Sequence, residues 1–209
     1  MRRTRLIFDG TIAGLGTRSG VRMVVGHWPR SPFGPIADVM VESPDGHRLL
    51  VAPTPAVARF VADTYAFDDV LVAPVTVTAE DEAWTAVAAG PVDLRFRAGR
   101  RGRLGLLLRS VPASLARRPG WSAVVDVPAR LVVPGVRTRG SAGGGRREWY
   151  GPQDLRPIVA VSARLGGRDL GALAPVSPPV RFGFASTPRM PALVRVTTTV
   201  EVPAASIQT

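Results

Sequence analysis

Two short segments bring together residue types that can do chemistry. In the first, residues 26–35, His27 lies next to Trp28 and is followed by Arg30 in a proline-rich run. An imidazole can transfer a proton near neutral pH, and a guanidinium binds a carboxylate through paired hydrogen bonds. We therefore expect a proline-fixed loop at a pocket mouth, with His27 as a candidate catalytic residue and Arg30 as a candidate ligand-binding residue. The alternative is a rigid connector whose aromatic side chains fill the core.

The second segment, residues 146–152, places Glu148 between arginines and two aromatic residues. A carboxyl group in such surroundings can act as a general acid or base with a shifted pKa, or can orient an arginine that binds an anion. Glu148 is therefore the second candidate catalytic residue, and Tyr150 is a candidate hydrogen-bond donor to a ligand. The alternative is the ordered end of a loop, with Glu148 in a surface ion pair that contributes little stability.

The composition excludes several kinds of site. All 27 Lys and Arg positions are arginine, and the 209 residues include no cysteine and only two histidines, His27 and His47. Such a chain has no side-chain Schiff base, no P-loop lysine and no thiolate nucleophile. Two histidines cannot supply a three-histidine metal site, and neither Gly-x-Ser-x-Gly nor the dinucleotide pattern Gly-x-Gly-x-x-Gly occurs. The sequence predicts no metal and no cofactor, and His47 is expected to be an exposed strand residue.

A long basic region is the third feature to explain. The net charge is +11, and the stretch from Arg95 to Arg147 contains Asp126 as its only acidic residue. Such a region can bind phosphates, an anionic polymer or an anionic membrane surface, and its leucine-rich part, residues 104–115, suits a membrane surface. Nucleic acid is not favoured, because no nucleic-acid-binding motif is recognisable and aromatic residues make up only 6% of the chain. A solvated basic face is the alternative.

The elements that must position these residues are mostly strands. Apolar and polar residues alternate in several stretches, and 22 Gly and 20 Pro residues punctuate the chain. Strands are predicted over residues 36–42, 47–52, 70–77, 92–96, 121–133, 158–165 and 194–202. The strongest helix pattern has Thr54 as N-cap and Pro55 at its first position and extends to Tyr65. A second helix is predicted over residues 104–117.

These elements predict a single α+β, mainly β domain over residues 1–209, with one or two helices and a flexible Gly/Arg loop near 138–147. Because strands dominate, we expect a barrel or a strongly curved antiparallel sheet. The sequence has no run of about 18 apolar residues, and its first residues lack the apolar core of a signal peptide. Since cysteine is absent as well, the expected location is the cytoplasm.

Three segments carry a resemblance to a known family. They are Ser31-Pro32-Phe33-Gly34-Pro35 before a strand, the strand–turn–helix unit that ends at Tyr65, and Phe182-Gly183-Phe184 before the last strand. Together they span most of the chain, which resembles the acetoacetate decarboxylase-like superfamily and its uncharacterised actinobacterial relatives. The resemblance implies a cone-shaped barrel around a pocket for a small carboxylate or keto acid.

The chain departs from that family in its chemistry. The decarboxylases form a Schiff base through a lysine, and this chain has none. The resemblance therefore implies a protein that binds a small anionic or keto-acid ligand, or an enzyme that acts on it without lysine. Arg30 and Arg181 are expected to bind the carboxylate. His27 or Glu148 is expected to transfer a proton, and Tyr150 to donate a hydrogen bond.

A function of another class stays open beside this one. The alternative is a basic peripheral interaction protein that contacts an anionic polymer or membrane surface through the arginine-rich residues 95–147. The sequence leaves open whether the chain forms a homo-oligomer.

Overall fold

Alternating apolar and polar residues build most of the strands in this computed structural model, which describes residues 3–81, 83–110, 112, 139–183 and 187–203. The strands are Arg3–Thr17 (β1), Arg22–Arg30 (β2), Ile36–Glu42 (β3), Arg48–Ala52 (β4), Asp69–Val72 (β5), Val75–Ala79 (β6), Trp84–Ala89 (β7), Val92–Ala98 (β8), Arg139–Ser141 (β9), Arg147–Leu165 (β10), Arg168–Asp169 (β11), Leu173–Ala174 (β12) and Ala192–Pro203 (β13). The helices are Pro55–Ala62 (α1) and Arg103–Arg109 (α2).

Ten of these strands form one continuous sheet in the order β5-β4-β3-β2-β1-β13-β10-β8-β7-β6. Strands β9 and β11 pair with β10, and β12 pairs with β1. The pair β4–β5 is parallel, whereas β1, β13 and β10 form long antiparallel ladders at the centre. Strands β5 and β6 are the two edge strands of this order. Within the described residues they do not pair with each other, so the sheet is open. It curls enough to bring β6 against β3.

The two faces of the sheet bury different sets of side chains. One face lies against the larger core, which contains Leu15, Met23, Val39 and Phe96. We call the opposite face the helix face, because side chains there pack against α1 and the segment 176–183. These two layers confirm the predicted class, α+β with mainly strands and two helices.

Local sequence signals account for the hairpin and helix that follow β2. The predicted strand 36–42 coincides with β3, and the turn after it closes with a hydrogen bond of 2.9 Å from the Gly46 amide to the Ser43 carbonyl. Gly46 has a φ of 93°, which glycine adopts without strain. Helix α1 begins as predicted, with Pro55 first and the Thr54 hydroxyl accepting from the Val57 amide at 3.3 Å.

Other predictions need correction. Residues 70–77 belong to two strands, β5 and β6, which pair with different partners, β4 and β7, and Pro74 lies between them. Helix α1 ends before Tyr65, and β10 is longer than the predicted 158–165. Strands β1, β2 and β7 and the short strands β9, β11 and β12 were not predicted, and the last strand has both faces mostly buried. The predicted strand 121–133 and most of residues 110–117 lie outside the described residues.

The two segments predicted to be loops are largely parts of strands. His27, Trp28 and Arg30 belong to β2, so the connection that follows is confined to residues 31–35. Residues 147–152 belong to β10. Within the stretch 138–147, the structure contains β9 and a short 3-10 turn at Gly143–Gly145, while the flexibility of this stretch stays a prediction. Neither helix of the described part is long and apolar enough to span a membrane.

Candidate ligand-binding site

A β-bulge turns His27 and Arg30 toward the same side of the sheet. Asp9 of β1 pairs with Arg30 of β2, whereas Thr11 pairs with His27, so β2 has one extra residue between the two pairs. Residues three apart on a regular strand point to opposite faces, and the extra residue cancels that alternation. A Cβ at Gly10 would overlap the His27 carbonyl oxygen, so the bulge requires glycine at this position.

A second bulge lies at the same level on the other side of the β1–β13 pair. Strand β10 has one residue more than β13 between Pro152 and Asp154, and that residue is Gln153. Arg195 of β13 pairs with Asp154 of β10 on one side and with Thr11 of β1 on the other, so the two bulges lie at the same level of the sheet. β-Bulges re-aim side chains and are over-represented beside active sites.

Between the bulges the surface forms a cleft of about 230 Å³. Its lining is Asp9, Gly10, Thr11, His27, Pro29, Arg30, Gln153, Arg195 and Val196. The two bulges thus deliver a histidine, two arginines, a carboxylate and an amide to one concave site, the combination of a few polar groups on a rigid scaffold that ligand sites use.

The cleft carries an excess of positive charge. The Arg30 side chain is 72% exposed and its Nε lies 3.6 Å from the Asp9 carboxylate. Arg195 is exposed and has no ion-pair partner within the described part of the chain. Burial lowers the pKa of His27, so its imidazole is neutral at pH 7 and can accept a proton.

A hydrogen-bonded chain holds the acidic side of the cleft in place. The Gln153 amide donates to the Thr197 hydroxyl at 2.7 Å, and this hydroxyl donates to an oxygen of Asp9. Thr197 and Gln153 are buried. The Asp9 carboxylate is therefore fixed by groups behind it, and its position does not depend on the weaker contact with Arg30.

Glu148 and Tyr150 belong to a different, buried cluster. The Tyr65 hydroxyl lies 3.0 and 2.9 Å from the two Glu148 carboxyl oxygens and 2.9 Å from the Tyr150 hydroxyl. The Tyr150 hydroxyl lies 3.3 Å from Glu148 Oε2. Burial raises the pKa of Glu148 to about 7, although the two phenols and the nearby Arg146 favour its ionised form.

The geometry of this cluster suits a protonated carboxyl group. A protonated Glu148 can donate a hydrogen bond to the hydroxyl of one tyrosine. That hydroxyl can donate to the hydroxyl of the second tyrosine, which in turn can donate to the other carboxyl oxygen of Glu148. The ring then satisfies all three groups without a buried charge. Burial and the neighbouring Glu148 also raise the pKa of Tyr65 well above its usual value.

The sheet separates the two groups of candidate residues. Tyr150 pairs with Thr198, and both lie on the helix face, where Tyr150 packs near Phe8. His27 pairs with Thr11, an odd position of β1 that points away from the Phe8 side. His27 and Glu148 therefore cannot act on one bound molecule, and Tyr150 bonds to the protein's own Glu148.

Arg181 forms a third, separate feature. Its Nε donates to the Glu42 carboxylate at 2.8 Å and its backbone amide to the same group at 2.7 Å. Glu42 pairs with Arg22, at the opposite end of β2 from Arg30. Arg30 and Arg181 were expected to bind one ligand carboxylate together. The structure does not bring them together, because the length of β2 separates them and Arg181 is hydrogen-bonded to the internal carboxylate of Glu42.

Sequence reasoning missed Asp9, Gln153 and Arg195 as cleft residues. The available signal was Gly10, since an isolated glycine within a strand pattern often marks a bulge. Tyr65 was recognised only as part of a helix face. Burial raises the pKa of Asp38 to about 7, although the Trp28 indole donates a hydrogen bond to its carboxyl group at 3.2 Å. Nothing in the sequence indicated this beyond the place of Asp38 in an apolar strand.

Comparisons with known proteins assign no family. No protein-family model matches the chain, and no curated protein shows significant similarity to it. A crystal structure of a Nitrosomonas europaea protein provisionally called AttH aligns with 94% of this chain, at 13% identity and a TM-score of 0.34. The alignment covers 51% of that protein, so this chain spans about half its length. The acetoacetate decarboxylase-like resemblance stays a prediction.

Proposed function

We propose that this protein binds a small organic acid in the cleft between the two bulges. The observation that supports the proposal most directly is the convergence of Arg30, Arg195 and His27 on one concave site. The guanidinium groups of Arg30 and Arg195 line the cleft together with one carboxylate, Asp9, which is held by Thr197. The remaining positive charge is available for a ligand carboxylate, which arginine binds through two parallel hydrogen bonds.

The size of the cleft is compatible with a small ligand. A volume of about 230 Å³ equals that of several water molecules and suits an acid of roughly six to eight heavy atoms. Neutral His27 and the amide of Gln153 can hydrogen-bond a second polar group, such as a keto oxygen or a hydroxyl. A short keto or hydroxy acid therefore matches the groups present better than a simple fatty acid, and His27 is the group that could accept a proton from it.

A thermal-shift panel tests this proposal with acetate, pyruvate, acetoacetate and inorganic phosphate, each at low and high salt. A ligand at 100 times its dissociation constant adds about 2.7 kcal/mol to the free energy of unfolding, which gives a measurable rise in Tm. We expect a rise with at least one keto acid that persists at high salt. R30Q and R195Q should each weaken binding of that acid by about 10- to 100-fold, the loss of one charge-assisted contact.

The matched control is R168Q, which removes an exposed arginine on β11, away from the cleft. It should bind like the unaltered protein. Equal losses in R168Q and R30Q would show that total charge, not the cleft, governs binding. Absence of any shift with all four compounds would remove the proposal.

A further inference from the structure

Helix α2 exposes apolar side chains that the rest of the described structure leaves uncovered. Leu106 is 59% exposed and Leu107 is 66% exposed. Exposed leucines on a short helix lack the favourable free energy that burial of their apolar surface would give them. A partner that covers them would recover part of it.

The backbone of α2 is fixed in an orientation that presents these leucines. Gly105 is buried, and a Cβ at this position would overlap the Leu155 carbonyl oxygen of β10. At about 100° per residue, Arg103 and Leu107 lie about 160° from Gly105 on the outward face of the helix, and Leu106 lies at the edge of that face, about 100° from Gly105. The exposed leucines are therefore the outward face of a docked helix and do not arise from a frayed end.

The segment before α2 is tied to the same strand. The Arg156 guanidinium donates to the Gly99 carbonyl at 2.9 Å and to the Ala98 carbonyl at 3.0 Å. Arg101 pairs with Asp154 at 2.7 Å. These contacts hold the exposed arginine that follows Gly99 next to the helix.

Exposed arginines precede and follow the exposed leucines along the chain. Arg100, Arg103 and Arg109 are exposed and have no ion-pair partner among the residues that the structure describes. Arg101, by contrast, is offset by Asp154. The full set, which we call the α2 patch, is Arg100, Arg103, Leu106, Leu107 and Arg109.

We propose that the α2 patch docks on an anionic lipid membrane surface. Leucines that enter the headgroup region and arginines that contact lipid phosphates are the two features of interfacial binding. A polyanion would use the arginines and gain nothing from the leucines. A second copy of the chain would set two arginine-rimmed patches against each other, which like charges oppose.

Vesicle co-sedimentation tests the proposal with the full chain. Vesicles of phosphatidylcholine with phosphatidylserine should bind the protein, and vesicles of phosphatidylcholine alone should bind it much less. The triple variant R100Q/R103Q/R109Q should bind the anionic vesicles about 100-fold more weakly, since each arginine near an anionic surface contributes about fivefold. L106S/L107S keeps every charge and should lose about tenfold.

Two control variants separate this mechanism from bulk properties. R164Q/R168Q/R189Q removes the same charge from exposed positions on other elements and should keep most of the binding. V70S/L71S removes two partly exposed apolar side chains from β5 and should bind like the unaltered protein. Unchanged melting temperatures show that the variants fold.

Three results would overturn the proposal. They are no binding to anionic vesicles, equal losses in the patch and control variants, and binding that L106S/L107S leaves intact. In the last case, a heparin affinity that depends on the same three arginines would identify an anionic polymer as the partner. None of these results bears on the acid-binding cleft, since the cleft residues lie on β1, β2, β10 and β13 and are unchanged in every variant.

Discussion

The carboxyl group of Glu148 lies between two phenols and is only 1% exposed, which ties its protonation to the stability of the fold. Its pKa is raised from 4.5 to about 7 in the folded chain, so the folded state binds more protons than the unfolded state between these pH values. Stability from this group is therefore present at low pH and is lost as the pH rises through this window. This group should lower the free energy of unfolding by about 3 kcal/mol between pH 4.5 and pH 7.5, and we expect E148Q to lack this decrease.

Urea unfolding at a series of pH values measures this effect. Asp38 has a pKa raised in the same direction by burial, so D38N is the informative companion variant. D38N should keep the Glu148 contribution, and the double variant should lose both. A pH dependence in E148Q equal to that of the unaltered protein would show that Glu148 is ionised in the fold with its phenol partners compensating its charge.

At the scale of elements, the bulge at Gly10 decides where His27 and Arg30 point. A Cβ there would overlap the His27 carbonyl oxygen, which belongs to a paired strand and cannot move away cheaply. We expect G10A to lower the free energy of unfolding by about 2 kcal/mol or more and to weaken acid binding in the cleft. G102A, where the added Cβ meets nothing within 4 Å, should change stability by less than about 0.5 kcal/mol. Urea unfolding and the thermal-shift panel report both quantities.

The same bulges explain how far the sequence could predict this site. The turn before β4, the cap of α1 and the alternation in β8 depend on nearby residues, and these were predicted correctly. The cleft depends on which residue of β2 faces which residue of β1, and on the matching irregularity in β10. Strand register is set by long-range pairing, so the sequence named His27 and Arg30 and could not show that Glu148 lies on the other face.

At the scale of the whole molecule, one buried carboxylate joins the sheet to the segment that covers its helix face. Glu42 is 0% exposed and receives hydrogen bonds from the backbone and side chain of Arg181. Arg22, also buried, lies 3.2 Å from the same carboxylate and donates to the Pro178 carbonyl at 3.3 Å. The covering segment carries Val176, Val180 and Phe182 into a cluster with side chains of the sheet, so the ion pairs and the apolar layer hold the same two parts together.

Removal of this carboxylate should therefore destabilise the entire fold. E42A leaves the buried Arg22 guanidinium without its charge partner, which typically costs about 3–5 kcal/mol. The matched control is D68A, which breaks a carboxylate–arginine pair of similar length, 2.9 Å to Arg48, at an exposed site and should destabilise the fold much less than E42A. Urea unfolding compares the two variants, and limited proteolysis shows where the chain opens. If E42A only exposes residues 176–183 to protease while the global transition is unchanged, the covering segment opens on its own and the sheet is stable without it.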